Sequence, residues 1–344
     1  MSMNEIILNT KNGNTIIRFC EVLNEKNETF FSSRSIFITD SNIFNLYQGF
    51  FEDKKTIIVT PGDENKNLNV IYFIIEQLID LKVDRNSNIV GIGGGMVTDI
   101  AGFAASVYMR GISFGFIPTT LLAMIDASIG GKNGVNFESY KNTIGTFTQP
   151  KYVLIDHNFL KSLPYDEYIN GLAEAIKHYA ISDIDQFNFL DLHIEAVLKR
   201  DGELLMNFIK NQVKIKVKVV EKDEKESHER KKLNFGHTFG HPIEKLGKLK
   251  HGFAVSIGMV IAAKISQHFS YLQQSDVEKL INLLLKAGLP VDTKLDKNSI
   301  ATIMSGDKKK NDDKIDFILL DKIGNAIINP IKINDLINIY KSLD

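Results

Sequence analysis

Three histidines in the C-terminal half of the chain are the residues best suited to bind a metal ion. His237 and His241 lie in the segment LNFGHTFGH (233–241), and His251 follows in HGFA (251–254). On a helix, this spacing would place His237 and His241 on one face, since they are separated by about one turn. Neutral imidazoles clustered in this way are typical zinc ligands. The spacing alone fits two histidines that cap or line a core equally well.

The side chains around the histidines favour a metal site. Arg230 and Asn234 lie shortly upstream of His237, and a separate segment, NGLAEAIK (170–177), carries Glu174 and Lys177. On a helix, the spacing of Glu174 and Lys177 would bring a carboxylate and an ammonium to one side. Taken alone, Glu174 would be a surface carboxylate paired with Lys177.

Composition indicates a soluble enzyme-sized protein rather than a nucleic-acid-binding or membrane protein. The chain has 344 residues, 44% of them hydrophobic, and a formal net charge of -1. This charge balance gives no reason to expect nucleic acid or a membrane surface as a partner. The single cysteine, Cys20, excludes an intrachain disulfide and fits a reducing compartment. No signal peptide is recognised, and no uncharged apolar stretch approaches the ~20 residues that cross a bilayer. We therefore expect a cytoplasmic protein.

The first half alternates β-branched runs with helical patterns, which predicts a largely parallel sheet with a ligand at the carboxyl ends of its strands. Strands are predicted at residues 35–40, 55–60, 88–92, 113–117 and 152–155, and helices at 68–81 and 96–107. The turn Gly93-Gly94-Gly95 joins a strand to a helix, an arrangement in which helix amides face a phosphate. Its spacing does not match G-x-G-x-x-G unless Gly91 is forced into the pattern, so a tight turn that binds nothing stays open.

After about residue 166 the patterns become helical. Helical spacing is found over residues 194–220, 253–269, 275–287 and 333–343, with a hairpin predicted at 314–331. The charged stretch 221–232 is interpreted as a solvated loop, with Glu226 and Arg230 as exceptions. We therefore predict a Rossmann-like, nucleotide-binding α/β domain over residues 1–160 and an all-α domain over residues 161–344.

The chain resembles the 3-dehydroquinate synthases, within the wider family of sugar-phosphate cyclases. The segments that carry the resemblance occur in the family's order and are GGGMVTD (93–99), YMRG (108–111), PTTLLAMID (118–126), GGKNGVN (130–136), KN (141–142), 170–177, 216–226, 230–241, HG (251–252) and DKK (307–309). Together they are far more specific than any one alone. The resemblance implies a nucleotide-binding α/β domain followed by a helical domain, in agreement with the patterns.

The sequence departs from the family pattern at a few positions. Phe253 stands where a Glu usually follows His-Gly, and Tyr140 replaces a Gly before Lys141. His228 and Glu229 replace a common Gly-Leu, and Asp63 stands where Glu is usual. None of these changes removes an implied metal ligand, but Phe253 and Tyr140 bear on substrate preference.

The resemblance implies two cofactors. Zn²⁺ (or Co²⁺) would be held by Glu174, His237 and His251, which leaves an open position for substrate hydroxyls. NAD would be bound by a larger set. The implied NAD-binding residues are Asp40, Asp63, Lys66, Gly94, Gly95, Met96, Asp99, Thr119, Thr120, Leu122, Asp126, Lys132, Lys141, Phe159, Ser162, Leu163, Glu167 and Asn170. Thr119 and Thr120 would serve equally as helix caps after Pro118.

The resemblance also implies a pocket for a sugar phosphate. Its catalytic and substrate-binding residues would be Asp126, Lys132, Asn142, Lys177, Lys216, Arg230, Asn234, His241, Arg110 and Lys308. Lys216 and Arg230 match positions that hold a substrate carboxylate, and Lys308 is preferred to Lys309 as the phosphate contact. Arg110 would reach the phosphate site of a neighbouring subunit, so a homodimer is expected.

The implied activity is conversion of 3-deoxy-D-arabino-heptulosonate 7-phosphate to 3-dehydroquinate and phosphate. NAD would oxidise a secondary hydroxyl transiently, phosphate would be eliminated, and the ketone would be reduced again before ring opening and aldol closure. This reaction belongs to the shikimate pathway of aromatic amino acid and chorismate biosynthesis. Three alternatives stay open: a sister cyclase with another substrate, a metal-dependent polyol dehydrogenase, and a binding protein without activity.

Overall fold

The computed structural model describes residues 4–23, 31–138, 140–200, 202–306 and 314–343. The chain divides into two compact units, Met1–Leu163 with Ile209–Lys225, and Pro164–Phe208 with Glu226–Asp344. Residues 209–225 therefore belong to the first unit although they follow part of the second. The sequence patterns, which assign every residue after 160 to one domain, do not reveal this return.

A seven-stranded sheet forms the core of the first unit, in the order β1-β2-β9-β6-β5-β3-β4. Its strands are β1 Glu5–Thr10, β2 Gly13–Phe19, β3 Ser35–Asp40, β4 Thr56–Val59, β5 Asn88–Gly93, β6 Ser113–Pro118 and β9 Tyr152–Ile155. β1 pairs antiparallel with β2, and the other neighbours are parallel. The predicted strands and the parallel sheet are confirmed. β1 and β2 are not among the predicted strands, and neither is the hairpin of β7 Lys132–Phe137 and β8 Tyr140–Phe147.

The order of the strands reverses beside β3. From β3 the chain passes outward to β4 and then returns to β5 on the other side of β3. Helices connect the strands: α1 Ser41–Leu46, α2 Gln48–Phe51, α3 Leu68–Asp80 and α4 Gly95–Val107. In parallel sheets, ligands bind beside the carboxyl ends of the strands at such a reversal. The ends of β3, β5 and β6 are therefore the expected binding edge.

The second unit is mainly helical. Its helices are α5 Tyr165–Ser182, α6 Ile184–Leu198, the start of α7 Gly202–Lys222, α8 His237–Gly247, α9 His251–His268, α10 Gln274–Lys286, α11 Lys297–Gly306 and α12 Ile333–Ser342. The predicted hairpin is present as β10 Lys314–Lys322 and β11 Asn325–Lys332. The continuous helical pattern over 194–220 is wrong, because α6 ends at Leu198 and Arg200 takes a left-handed backbone, φ 58°. No described helix is long and apolar enough to cross a membrane.

Two glycines of α9 allow close packing with neighbouring segments of the second unit. A Cβ on Gly258 would lie 2.0 Å from the carbonyl oxygen of Gly236, the residue before α8. A Cβ on Gly252 would lie 2.0 Å from the carbonyl oxygen of Asn170 on α5. Only glycine permits such approaches of backbone to backbone. They bring the first turn of α9 against α5 and its middle against the start of α8.

Candidate active site

Glu174, His237 and His251 place their metal-binding atoms together in the second unit. Glu174 lies on α5, and the two histidines are the first residues of α8 and α9. Nε2 of His237 lies 3.7 Å from Oε1 of Glu174, and Nε2 of His251 lies 3.5 Å from the same oxygen. Zn²⁺ binds such atoms at about 2.0–2.2 Å, so tetrahedral ligands lie about 3.4 Å apart. The donor set therefore fits one ion of this kind.

The carboxylate of Glu174 is almost completely withdrawn from water. Its side chain is 1% exposed, and Nζ of Lys177, itself 2% exposed, forms an ion pair with Oε2. A buried carboxylate requires a compensating charge, which Lys177 provides from the next turn of α5. The Lys177 pairing considered from the sequence is thus present, but it is buried. It uses Oε2, while Oε1 faces the histidines.

Each imidazole is oriented through its other ring nitrogen. Nδ1 of His237 lies 3.3 Å from the carbonyl oxygen of Phe235, and Nδ1 of His251 lies 3.2 Å from Oε2 of Glu244. In both histidines, Nε2 therefore faces Glu174. Glu244 is not among the predicted site residues, because a single glutamate in the last turn of a helix carries no spacing signal.

The two histidines differ in charge. Burial, followed by the Lys177 ammonium, holds the pKa of His237 well below its usual range, so its ring is neutral and available as a ligand. Burial acts to lower the pKa of His251 as well, but hydrogen bonds with Glu174 and Glu244 raise that pKa to about 9. At neutral pH His251 is therefore a positively charged imidazolium, and a metal ion would displace one of its two ring protons.

His241 lies beside the three-donor group. Its ring centroid is 5.3 Å from that of His237 and 6.2 Å from that of His251. The two histidines of α8 therefore do lie on one face, as their spacing predicts. The side chain of His241 is exposed, which suits contact with a substrate.

Arg230 and Asn234 lie in a short 3₁₀ turn, Glu229–Asn234, that precedes α8. Arg230 is 2% exposed. The stretch between α7 and this turn, residues 223–228, is not helical. Oε1 of Glu226 accepts a hydrogen bond from Nδ2 of Asn234 at 2.7 Å.

In the first unit, the ends of three adjacent strands bring predicted NAD-binding residues together. Asp40 ends β3, where it caps α1, and burial raises the pKa of its carboxyl against the hydrogen bonds from Ile43 and Asn42. Gly94 and Gly95 follow β5. The amide of Thr119, after β6, donates to the Gly93 carbonyl at 2.9 Å.

This edge fits a dinucleotide. A Cβ on Gly94 would lie 3.0 Å from Cγ2 of Thr120, so the glycine keeps the turn before α4 narrow. Oγ1 of Thr119 is buried and has no hydrogen-bond partner among the described residues. Oγ1 of Thr120 accepts from the Ala123 amide at 3.1 Å, which is the capping role considered from the sequence. A buried hydroxyl next to a helix N-terminus is a suitable contact for a phosphate or ribose.

A buried lysine organises the first turns of α4. Nζ of Lys66 lies 2.5 Å from Oδ2 of Asp99 and 2.5 Å from Oδ1 of Asn142 on β8. Burial raises the pKa of Asp99, and the Lys66 ammonium opposes that rise. Nearby on the surface, Nζ of Lys141 lies 3.0 Å from Oδ2 of Asp63. Predicted cofactor and substrate residues thus share one network.

Asp126 and Lys216 form a second charged pair in the first unit. Asp126 lies in a π-helical turn, Ala123–Ala127. Its Oδ1 forms an ion pair with Nζ of Lys216 on α7, a residue that is 6% exposed. This pair is one contact between the later part of α7 and the rest of the first unit. Lys132 begins β7, and its side chain is exposed.

The remaining predicted residues fall in separate places. Tyr47 OH lies 2.7 Å from Oγ of Ser162, and its ring packs edge-on against Phe159 at 5.0 Å. Glu167 pairs with Lys250 at 2.8 Å, and Oδ1 of Asn170 accepts from the Gly252 amide at 2.6 Å. The positions of the others are as follows: Met96 in the first turn of α4, Leu122 before the π-helical turn, Leu163 after a 3₁₀ turn, and Arg110 exposed at the end of another 3₁₀ turn. Lys308 lies outside the described residues.

Known proteins match this chain over nearly its whole length. The family models for 3-dehydroquinate synthase match residues 56–170 with the N-terminal domain and 171–310 with the C-terminal domain. The 3-dehydroquinate synthase of Ruminiclostridium cellulolyticum is 42% identical over 318 residues, 89% of this chain and 88% of that protein. The chain belongs to the 3-dehydroquinate synthase family.

Solved structures of two related synthases share the fold. The 2-epi-5-epi-valiolone synthase from Streptomyces hygroscopicus subsp. jinggangensis 5008, with NAD⁺ and Zn²⁺ bound, is 25% identical, covers 97% of each chain and has a TM-score of 0.88. A 2-deoxy-scyllo-inosose synthase, complexed with carbaglucose-6-phosphate, NAD⁺ and Co²⁺, is 28% identical, covers 98% of this chain and 100% of that chain, and has a TM-score of 0.86. The predicted α/β and helical fold class is confirmed.

The close approach of α9 to α5 predicts the effect of one methyl group. Gly252→Ala would place a Cβ 2.0 Å from the Asn170 carbonyl oxygen, so α9 must shift and carry His251 away from Glu174. We expect a loss of about 1–3 kcal/mol in the free energy of unfolding, with weaker zinc binding. Chemical denaturation and zinc titration measure both. Gly202→Ala is the matched control, since its Cβ meets nothing within 4 Å. Equal stability and zinc affinity of the two variants would contradict the packing argument.

Proposed function

We propose that this chain is a 3-dehydroquinate synthase that converts 3-deoxy-D-arabino-heptulosonate 7-phosphate to 3-dehydroquinate and phosphate. The observation that carries the proposal is the donor group of Glu174, His237 and His251 in a chain of this family. A sister cyclase is less well supported, because the curated relative of 42% identity is a 3-dehydroquinate synthase. The reaction leaves NAD unchanged overall, which separates it from a polyol dehydrogenase.

Two cofactors fit the chain. Glu174, His237 and His251 would hold Zn²⁺ or Co²⁺, and the edge formed by Gly94, Gly95 and Thr119 would hold NAD. When bound, NAD supplies a transient oxidation of a secondary hydroxyl, and the metal supplies Lewis-acid polarisation of that oxygen. The protein contributes orientation and charge.

The side chains of the second unit suit an anionic sugar phosphate. Arg230 presents a planar guanidinium that can grip a carboxylate through two parallel hydrogen bonds. Lys177 brings a buried ammonium next to Glu174, and Glu226 fixes the amide of Asn234. His241 offers an exposed imidazole beside the three donors. In the first unit, Lys66 and Lys216 are buried cations, each already paired with a carboxylate that holds it in place.

The activity is tested by following phosphate and NADH together. Purified protein with the heptulosonate phosphate, zinc and substoichiometric NAD should release phosphate over many turnovers with no steady rise in NADH absorbance. Removing metal with a chelator should abolish release, and zinc or cobalt should restore it. Steady accumulation of NADH would indicate a dehydrogenase, and full activity in verified metal-free protein would exclude the metal centre.

We also propose a homodimer in which Arg110 serves the neighbouring subunit. Met109, Arg110 and Gly111 have φ values of 49°, 67° and 110°, and Arg110 is exposed. Left-handed backbone at non-glycine residues is unfavourable and is concentrated at functional sites, which supports a role for this turn. Like the cytoplasmic location, the shared arginine stays a prediction.

Mixed dimers test the sharing of Arg110. Arg110→Ala and His237→Ala should each be inactive alone, and mixing them under conditions of subunit exchange should restore part of the activity. One site in a mixed dimer would then have both intact residues. No recovery despite demonstrated exchange, or a fully active monomer, would contradict sharing.

The buried guanidinium of Arg230 predicts the choice of substrate. Charge-assisted hydrogen bonds contribute roughly 1.5–3 kcal/mol each, so Arg230→Met should lower kcat/KM for the heptulosonate phosphate by about ten- to a hundredfold. Zinc and NAD should still bind, as titration of each can show. Lys231→Met is the matched control, because Lys231 pairs with Asp316 at 2.7 Å. A folded Arg230→Met variant with the kcat/KM of that control would remove the carboxylate argument for this substrate.

A further inference from the structure

We propose that Glu244 is a positioning residue for the metal centre, which it serves by fixing the ring of His251. The inference rests on the metal site of the proposed function, and it concerns a residue that does not itself reach the ion. Glu244 lies in the last turn of α8, 9% exposed. Its Oε2 is 3.2 Å from Nδ1 of His251.

The geometry assigns opposite tasks to the two nitrogens of His251. Nδ1 faces Glu244 at 3.2 Å, while Nε2 faces Oε1 of Glu174 at 3.5 Å. A carboxylate acceptor keeps a proton on Nδ1 and therefore leaves the lone pair of Nε2 directed at the metal position. Without that acceptor the ring could rotate about its side-chain bonds or bind in the other tautomer.

The two histidine ligands are held in different ways. Nδ1 of His237 lies 3.3 Å from the carbonyl oxygen of Phe235, a backbone group only two residues away. Nδ1 of His251, on α9, contacts the negatively charged carboxylate of Glu244, which lies on α8. A carboxylate raises the basicity of an imidazole more than a neutral carbonyl does, so His251 should be the stronger ligand. Glu244 adds a second carboxylate beside the donor group, next to Glu174 and its partner Lys177.

The position of Glu244 is unfavourable for stability alone. A carboxylate in the last turn of a helix opposes the helix dipole, and withdrawing it from water adds a further cost. Side chains that break such local rules are concentrated at functional sites. His251 gives Glu244 a partner, and α9 gains a contact with α8 next to the three donors.

The test measures metal affinity rather than turnover. The zinc dissociation constant would be determined by competition with a chelator for the wild type, Glu244→Gln and Glu244→Ala. Changes of residues that orient metal ligands weaken affinity about ten- to a hundredfold, so we expect about tenfold for Gln, which keeps an acceptor, and more for Ala. The visible spectrum of bound Co²⁺ should shift in both variants. Glu195→Gln, an exposed glutamate on α6, is the matched control and should behave as the wild type.

A merely structural role makes a different forecast. If Glu244 only ties α8 to α9, the metal-free variants melt at lower temperature while their zinc affinity and Co²⁺ spectrum match the control, and this result would overturn the assignment. Glu244→Gln keeps the shape of the side chain, so the test remains available if Glu244→Ala does not fold. If the wild type binds zinc no more tightly than His237→Ala, the metal centre itself is overturned, together with the role of Glu244. Failure of the substrate assay with normal zinc binding would affect only the proposed function.

Discussion

The burial of one carboxylate constrains the whole second unit. Glu174 is 1% exposed, and an ion of that size without compensation would destabilise the fold by several kcal/mol. Lys177 from the same helix, His237 from α8 and His251 from α9 surround it, so three helices must meet at one point. The glycines at 236, 252 and 258 make that meeting possible because they let backbone approach backbone. The close packing of these helices is therefore what brings the compensating charges to Glu174.

In the first unit, the buried charges that need compensation are lysine ammonium groups. Its buried lysines, Lys66 and Lys216, each lie on a carboxylate from another element, Asp99 and Asp126. The pairs tie β8, α4, the π-helical turn and α7 to the edge where the parallel strands end. The carboxylates fix the positions of the two lysine ammonium groups, which would otherwise be flexible in solvent. An incoming anion therefore meets charges that are already oriented. The glycine turn and the hydroxyl of Thr119 complete an edge suited to phosphate.

The sequence alone predicts those features that repeat or have a fixed spacing. Fully buried strands such as β3 and β9 contain short runs of apolar residues, and the histidines of α8 fall on one face as their spacing requires. The break between α6 and α7 was missed because Arg200 adopts a left-handed backbone that no periodicity records. Glu244 and the contact of Asn170 with Gly252 were missed as orienting groups because they depend on how separate helices meet. The pairing of Lys66 with Asp99 likewise joins distant parts of the chain, which only the folded structure brings together.

The path of α7 has a consequence for how this protein could be divided or inherited. Neither compact unit is one uninterrupted length of sequence, since residues 209–225 interrupt the second unit and complete the first. A gene fragment that ends at residue 163 would encode the sheet and Asp126 but not the ammonium of Lys216 that Asp126 receives. Recombination that exchanges whole domains at a single crossover would separate the same pair. A division of the chain at residue 163 therefore leaves the first unit without residues 209–225.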